Sequence, residues 1–491
     1  MDIRKILQTA EQQMQKWQIH SASVAVVKDG EVLYSGALGM RDGAGQPADG
    51  QTLYPIASCT KAFTVAALAR LATQGKFDFD RPVREYLPGF RMADEYATAN
   101  LTGRDFLSHR SGLPRHEYAW YGSGYTRKQL MDNLRYLPLN LPIRYEFQYS
   151  NYNYLIAGEV IEQITGMQFE DYLVKELLQP LGMTRSTVSG DIFHADPNRA
   201  YAFNHEEEYT MGPVHQVPYY TSFVEDENPG EGDPVGAAGC IISCADDMAK
   251  WLKLLLSGGK IGDGEFIRKD LMDLIVAPHI YMGDGGAYGP ERSSQSYGLG
   301  WMLYDYRGCR MVEHGGNING FSASTAWVPS RNFGVFVDAA LETRLFADAL
   351  VHTLVDADLA EETTDWYERL YKANEDMFSG VLEFFRNFAG KPVPDTEPSH
   401  SIADYAGTYE VPGYRRLLVT EQDGKLTLDF NHWIVGLRHY HYDTFATEGP
   451  IGELPTGLTV TFGTDSTGTV RTASVMLGRA KNLGPVCFTR K

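Results

Sequence analysis

The chain has 491 residues, 43% of them hydrophobic and 22% charged, with a formal net charge of −19. That length predicts two or more domains and enough apolar material for a sizeable core. The acidic balance argues against nucleic acid and anionic membrane as partners, and no apolar run is long enough for a transmembrane helix.

Residues 1–18 read as an amphipathic helix entered directly from Met1-Asp2-Ile3-Arg4-Lys5. With no signal-peptide apolar region at this start, the expectation is a cytoplasmic protein, although an exported chain with its signal trimmed would read the same. Ser21–Val27 and Glu31–Leu38 are β-rich runs around Lys28-Asp29-Gly30, which signals a hairpin. The stretch Pro55-Ile56-Ala57-Ser58-Cys59-Thr60-Lys61 leads into an apolar run from Ala62 to Leu71 that stops at Gly75, so the spacing predicts a helix opened by Ser58. Lys76–Pro88 reads as a loop. Helices are predicted at Thr102–Ser108, Arg127–Tyr136, Tyr154–Thr165, Phe169–Leu178 and Ala245–Leu256, interrupted by loops at Val224–Pro234 and Pro278–Ser296. Strands return at Gly300–Tyr304, Arg310–His314, Ser322–Val328 and Gly334–Ala339, followed by a helix over Thr343–Leu359. Strands early and late, with helices between, predict one sheet built from both ends and a helical subdomain at about residues 80–290. The domain reading is therefore 1–385, a linker at 386–400 of Pro- and Gly-bearing composition, and an all-β unit at 401–491. Its strands are expected at Gly407–Val411, Arg416–Glu421, Leu426–Phe430, Leu458–Gly463 and Val470–Leu477.

Three stretches carry chemistry. Ser58 and Lys61 stand three apart on a helix, so the amine can reach the hydroxyl. A serine needs a neighbouring base to become a nucleophile, and burial or nearby positive charge can make lysine that base. The same spacing recurs at Ser257–Lys260 in a glycine-rich stretch, read as a surface turn. Tyr149-Ser150-Asn151 stands at a helix mouth. Tyr149 can pass protons there, and Asn151 can bind a substrate amide, fix the lysine or simply cap the helix. His314-Gly315-Gly316-Asn317 ends an apolar strand, where paired glycines let a substrate backbone lie close or merely turn the chain. Five cysteines (Cys59, Cys240, Cys244, Cys309, Cys487) are too few and odd for a disulfide framework and read as free buried thiols. Cys240 and Cys244 lack a zinc-completing pair, and Cys59 lies off the Ser58/Lys61 face. His432, His439 and His441 invite a metal reading, but neither carboxylate nor cysteine spacing completes a site.

In this chain order, Ser58-Cys59-Thr60-Lys61, Tyr149-Ser150-Asn151 and His314-Gly315-Gly316 resemble the motifs of the serine β-lactamase and penicillin-binding-protein superfamily. The branch resembled is that of class C β-lactamases, D-Ala-D-Ala carboxypeptidases, D-aminopeptidases and related esterases. Supporting matches include Phe77–Val83, the Ser108–Pro114 loop, Leu181-Gly182-Met183-Thr184 and Ala238–Ser243. The resemblance covers about residues 15–340. It implies an α+β fold, β-lactamase/transpeptidase-like, with an antiparallel sheet flanked by helices, a helical subdomain and no cofactor or metal. It implies Ser58 as the acylated nucleophile, Lys61 and Tyr149 as the acid/base pair, and the backbone N–H groups of Ser58 and Asn317 as the oxyanion hole. Asn151, His314, Gly315, Gly316 and Asn317 would bind substrate. The C-terminal segment resembles the lipocalin-like β-barrel appended to some of these hydrolases, which implies a cleft edge or a role in a homo-oligomer.

One departure bears on substrate. Class C β-lactamases carry lysine in the third motif where this chain has His314, and a histidine is mostly neutral at pH 7. Anchoring of a substrate carboxylate weakens accordingly. The expected activity is hydrolysis of amide or ester bonds in a small molecule or short peptide, by a peptidase, amidase or esterase. The alternatives are a β-lactamase and a catalytically inert scaffold. The aromatic stretch His116–Tyr125 reads as a substrate wall or plain packing, and the acidic run Glu225–Asp233 as a solvated loop.

Overall fold

The computed structural model describes every residue except 43–44, 208, 220–233, 284–285, 344, 361–363, 453 and 479–482. Helix α1 (Ile3–Trp17) starts where Asp2 accepts the Lys5 backbone N–H and turns Leu7, Ala10, Met14 and Trp17 into the core. Strands β1 (Ser21–Lys28) and β2 (Glu31–Gly39) form the expected hairpin. Asp29 and Gly30 both take positive φ, 51° and 80°, as a two-residue turn matched to strand twist requires. Helices α2 (Thr60–Thr73), α3 (Asn151–Thr165) and α4 (Ala245–Leu256) follow. Then come β3 (Ile280–Gly283), β4 (Arg292–Tyr297), β5 (Met302–Tyr306), β6 (Cys309–Ile318), β7 (Phe321–Val328) and β8 (Phe333–Ala339). Helices α5 (Phe346–Leu359) and α6 (Trp366–Ala389) complete this part.

The strands make one antiparallel sheet, ordered β2-β1-β8-β7-β6-β5-β4-β3, so both ends of the segment do build it. Strands β7 and β8 are buried at every residue because helices cover both faces of the sheet. Helices α1 and α5 pack on one face, and α2 and α4 on the other.

Several boundaries differ from the sequence reading. Pro278–Ser296 is not a loop throughout, since it holds β3 and β4; the β4 sequence Arg-Ser-Ser-Gln-Ser-Tyr has no apolar alternation to announce a strand. Strand β6 runs on through His314 to Ile318, so the glycine pair is inside a strand and not a turn. Helix α3 opens at Asn151 and not Tyr154. Ser58 lies in a 3-10 turn, Ala57–Cys59, that feeds into α2. Helix α6, which the sequence reading missed, extends into the stretch read as linker. The acidic run Glu225–Asp233 lies outside the described residues.

The C-terminal part is a closed antiparallel barrel of eight strands, β9 (Gly407–Glu410), β10 (Leu417–Gln422), β11 (Lys425–Phe430), β12 (Trp433–His441), β13 (Thr444–Thr447), β14 (Thr459–Thr464), β15 (Val470–Val475) and β16 (Val486–Arg490). Its interior is filled, with Tyr405, Phe445 and Phe462 in mutual edge and tilted contact. The sequence reading had five of these strands. It missed β12, whose side chains are mostly half-buried, and the short β13 and β16. Of the cysteines, Cys59, Cys240 and Cys244 are buried free thiols, but Cys309 is only half-buried and Cys487 is exposed.

The barrel docks on the aromatic loop 116–125. Trp433 stacks on Tyr121 with ring centroids 5.2 Å apart, and Asn431 Nδ2 donates to the carbonyls of Tyr118 and Tyr121, both at 2.8 Å. Gly122 has no room for a side chain, since a Cβ there would meet Trp433 at 2.4 Å. The loop is thus chiefly a dock, and Tyr118, Trp120 and Tyr121 also line the cleft.

Candidate active site

The site forms where the 3-10 turn, the mouth of α3 and strand β6 meet. Ala57 takes φ 47°, a left-handed conformation that costs a non-glycine residue about 1–3 kcal/mol and here turns Ser58 into the cleft. Strand β6 passes directly beside this turn. A Cβ on Gly316 would lie 2.2 Å from the Ile56 carbonyl oxygen and 2.9 Å from the Ser58 nitrogen, so only glycine fits. By contrast, a Cβ on Gly315 would meet nothing nearer than 3.5 Å.

Ser58 Oγ lies 2.9 Å from Lys61 Nζ and accepts the Tyr149 hydroxyl proton, also at 2.9 Å. Lys61 Nζ has two further partners at 2.9 Å, Asn151 Oδ1 and the Ala238 carbonyl oxygen. The amine is fully buried, and its pKa is well below the ordinary 10.5, chiefly from burial and then from the Arg115 charge. Burial raises Tyr149 above its ordinary 10.0, which keeps the phenol protonated.

His314 is fixed in one neutral tautomer. Its Nδ1–H donates to the Gly315 carbonyl at 2.7 Å, and its Nε2 accepts the Tyr297 hydroxyl at 2.8 Å. Burial, with the Lys61 charge second, lowers its pKa to about 3. Asn317 Oδ1 accepts from Ser322 Oγ at 3.0 Å, so its side chain is tied to the sheet. All eight sequence-predicted positions, Ser58, Lys61, Tyr149, Asn151, His314, Gly315, Gly316 and Asn317, therefore lie at or beside one cleft.

Cys59 does not compete as nucleophile. Its thiol is buried, donates to the His314 carbonyl at 3.2 Å and is held protonated by desolvation. Ser257 and Lys260 form the expected surface turn, with Ser257 Oγ donating to the Leu254 and Lys260 carbonyls. The barrel histidines do not converge: His439 Nε2 bonds the Tyr442 carbonyl and His432 pairs with Arg415. Among the described residues no group of three or more His, Cys, Asp or Glu is arranged to hold a metal ion. No helix among them is long and apolar enough to cross a membrane.

The sequence reading missed three supports. The His109 ring packs tilted against Tyr149, with centroids 4.3 Å apart, and accepts the Ser150 backbone N–H at 3.2 Å, so it positions the tyrosine loop. Glu117 accepts from Arg115 Nε at 2.8 Å and has a long 3.5 Å contact with Asn151 Nδ2. Arg292, sandwiched 3.5 and 4.0 Å from the Tyr288 and Tyr304 rings, pairs with Glu313 beside His314. The Ser108–Pro114 loop match pointed to His109; nothing in local spacing pointed to the others. The whole cleft encloses about 1230 Å³.

Comparisons with known proteins bear on the family and the fold. The Unguisins hydrolase ungD' of Aspergillus campestris is 29% identical over 439 residues, covering 84% of this chain and 76% of that protein. The structure of the octameric penicillin-binding protein homologue from Pyrococcus abyssi superposes with TM-score 0.62 at 19% identity over the full length of both chains. A D-stereospecific amidohydrolase from Streptomyces sp. gives TM-score 0.55 at 23% identity, covering 72% of this chain and 98% of its own. A domain family of unknown function (DUF3471) matches residues 391–482, most of the barrel. The Beta-lactamase family model matches residues 6–357, and the chain belongs to that family of serine hydrolases.

Proposed function

We propose that the chain hydrolyses amide or ester bonds of small peptides or related compounds through an acyl-enzyme on Ser58, in the manner of D-aminopeptidases, carboxypeptidases and esterases. The observation that carries this reading is the set of partners around the Lys61 amine. Asn151 Oδ1 and the Ala238 carbonyl can only accept. A neutral amine has two N–H groups for them and one lone pair left, which faces Ser58 Oγ. The buried, lowered pKa favours that neutral form. Lys61 is therefore set up to take the Ser58 proton as Oγ attacks the substrate carbonyl.

Tyr149 donates to Ser58 Oγ from the other side and, after attack, hands its proton to the leaving amine or alcohol; Lys61 restores the phenol proton. The oxyanion is assigned to the backbone N–H groups of Ser58 and Asn317, on the close approach of Gly316 to Ser58. Water then attacks the acyl carbonyl as Lys61 takes its proton; Ser58 Oγ leaves as that proton is returned to it through Tyr149 or Lys61, both 2.9 Å away, and the carboxylic acid is released.

The neutral His314 supports amide and ester substrates over β-lactams, which present a carboxylate. Both cationic side chains described in the cleft, Arg115 and Arg292, are already ion-paired. An inert scaffold has no use for a buried, dehydrated lysine against a serine. Homo-oligomerisation is proposed from the full-length likeness to an octamer and is checked by light scattering. A fluorophosphonate probe tests the central claim: wild type is labelled and Ser58→Ala is not. Absence of labelling in both would refute it. A panel of D- and L-aminoacyl amides, short acyl esters and nitrocefin then separates peptidase, esterase and β-lactamase activity.

A further inference from the structure

The cleft is larger than the catalytic groups need. Its volume of about 1230 Å³ exceeds the roughly 300–1,000 Å³ usual for small-ligand pockets. Besides the catalytic groups, the cleft is lined by residues of α6 and of the barrel part, among them Val381, Phe385, Tyr414, Leu454 and Val486. These side chains are apolar or aromatic, and Val381, Phe385, Tyr414 and Leu454 are at most 9% exposed although they face a cavity.

Gly380 stands in the middle of α6 on this same wall. A glycine inside a helix lowers helix stability by about 0.5–1 kcal/mol relative to alanine. No feature of the fold requires it. Its φ is not positive, and a Cβ built there meets no atom within 4 Å. The neighbouring positions along the helix, Met377, Val381 and Phe384, all carry large apolar groups into the cleft. The bare position therefore leaves room rather than relieving a clash.

We propose that the Gly380 face of α6 and the facing barrel rim form a subsite for a bulky apolar substituent, a long acyl chain or large hydrophobic side chain, flanking the scissile bond. Helix α6 and the barrel are then specificity elements of the site, and Gly380 keeps its mouth open. This rests on the assignment of Ser58 as nucleophile only for the direction in which substrate lies; binding itself is independent of turnover.

The test is calorimetric. N-acetyl- and N-decanoyl-D-alanine amide are titrated into Ser58→Ala and into Ser58→Ala with Gly380→Trp. The expected result is decanoyl binding at least tenfold tighter than acetyl in the first protein, with that ratio collapsing toward one in the second. Gly380→Ala should give an intermediate ratio and a thermal midpoint no lower than its parent. If Gly380→Trp lowers the midpoint, Gly380→Leu takes its place. A ratio near one in Ser58→Ala, or a ratio that a folded Gly380→Trp or Gly380→Leu leaves intact, would overturn the subsite. Turnover of the same amides by wild type reports separately on the hydrolase reading.

Discussion

Replacing Lys61 with methionine removes the amine while keeping most of the side-chain volume. If the amine is the base that takes the Ser58 proton, its loss should lower the labelling rate of Ser58 by about 10²–10⁴, or roughly 3–5 kcal/mol of activation barrier. The effect on stability has two opposing parts. Asn151 Oδ1 and the Ala238 carbonyl each lose a donor at 2.9 Å, which costs about 1–3 kcal/mol apiece. Against this, the native pKa of Lys61 lies below its unfolded value, so the unfolded chain binds the extra proton. Between the native pKa and 10.5 that difference makes Lys61 oppose folding, more so as pH falls, and methionine removes the penalty. Activity should therefore collapse without a matching fall in thermal midpoint. The assay is the second-order rate of fluorophosphonate labelling against pH, with unfolding followed in parallel. Wild type should show an acid limb with a midpoint well below pH 10.5, and Lys61→Met should lack it. Labelling within threefold of wild type, or an unchanged acid limb, would refute the assignment of Lys61 as base.

Other substitutions probe the frame around that pair. Gly316→Ala forces a Cβ to 2.2 Å from the Ile56 oxygen, so β6 must move off the nucleophile turn; labelling should fall by about 10²–10³, while Gly315→Ala, with 3.5 Å of clearance, should stay near wild type. His314 is neutral in the fold down to about pH 3 but protonates near 6.5 when unfolded. Its contribution is thus fully present above pH 6.5 and lost as pH falls toward 3. Urea unfolding at pH 7 and pH 4 should show a fall smaller by on the order of 3 kcal/mol in His314→Gln than in wild type, and equal falls would reject the assignment. Arg292→Leu strands the buried Glu313 carboxylate and should cost about 3–5 kcal/mol, part of which Glu313→Leu in the same chain should restore.

What could be read from the sequence was what local pattern encodes. The β1–β2 hairpin was legible because Asp29-Gly30 must adopt positive φ, and α2 because its apolar run is continuous. Helix α6 was legible too, since Trp366, Leu370, Asn374, Phe378, Val381 and Phe385 recur at helical spacing and form its buried face; that pattern was passed over. Strand β4 was not legible: Arg292 and Tyr297 are buried by tertiary partners that no window of six residues contains. The catalytic positions were readable as three short motifs in order. Their supports, His109 under Tyr149 and Arg292 against Glu313, join residues far apart in the chain, so spacing alone could not pair them.

The two Ser-x-x-Lys copies show where the chemistry resides. Ser58 and Lys61 have the same spacing as Ser257 and Lys260, and both serines follow or begin a turn against a helix end. At Lys260 the side chain is exposed, and Ser257 Oγ donates its proton to backbone carbonyls, so no lone pair is aimed at it. At Lys61 every methylene is buried, two carbonyl-type oxygens take the N–H groups, and the remaining direction meets a hydroxyl. One of those oxygens comes from the Gly236–Gly239 turn and the other from the mouth of α3, elements about 180 and 90 residues along the chain. The motif supplies the reach, and desolvation by distant elements supplies the base. Exposing Lys61, for instance with Ala238→Asp beside it, should therefore raise its pKa and shift the acid limb of labelling upward, whereas a surface charge placed near Lys260 should leave that limb where it is.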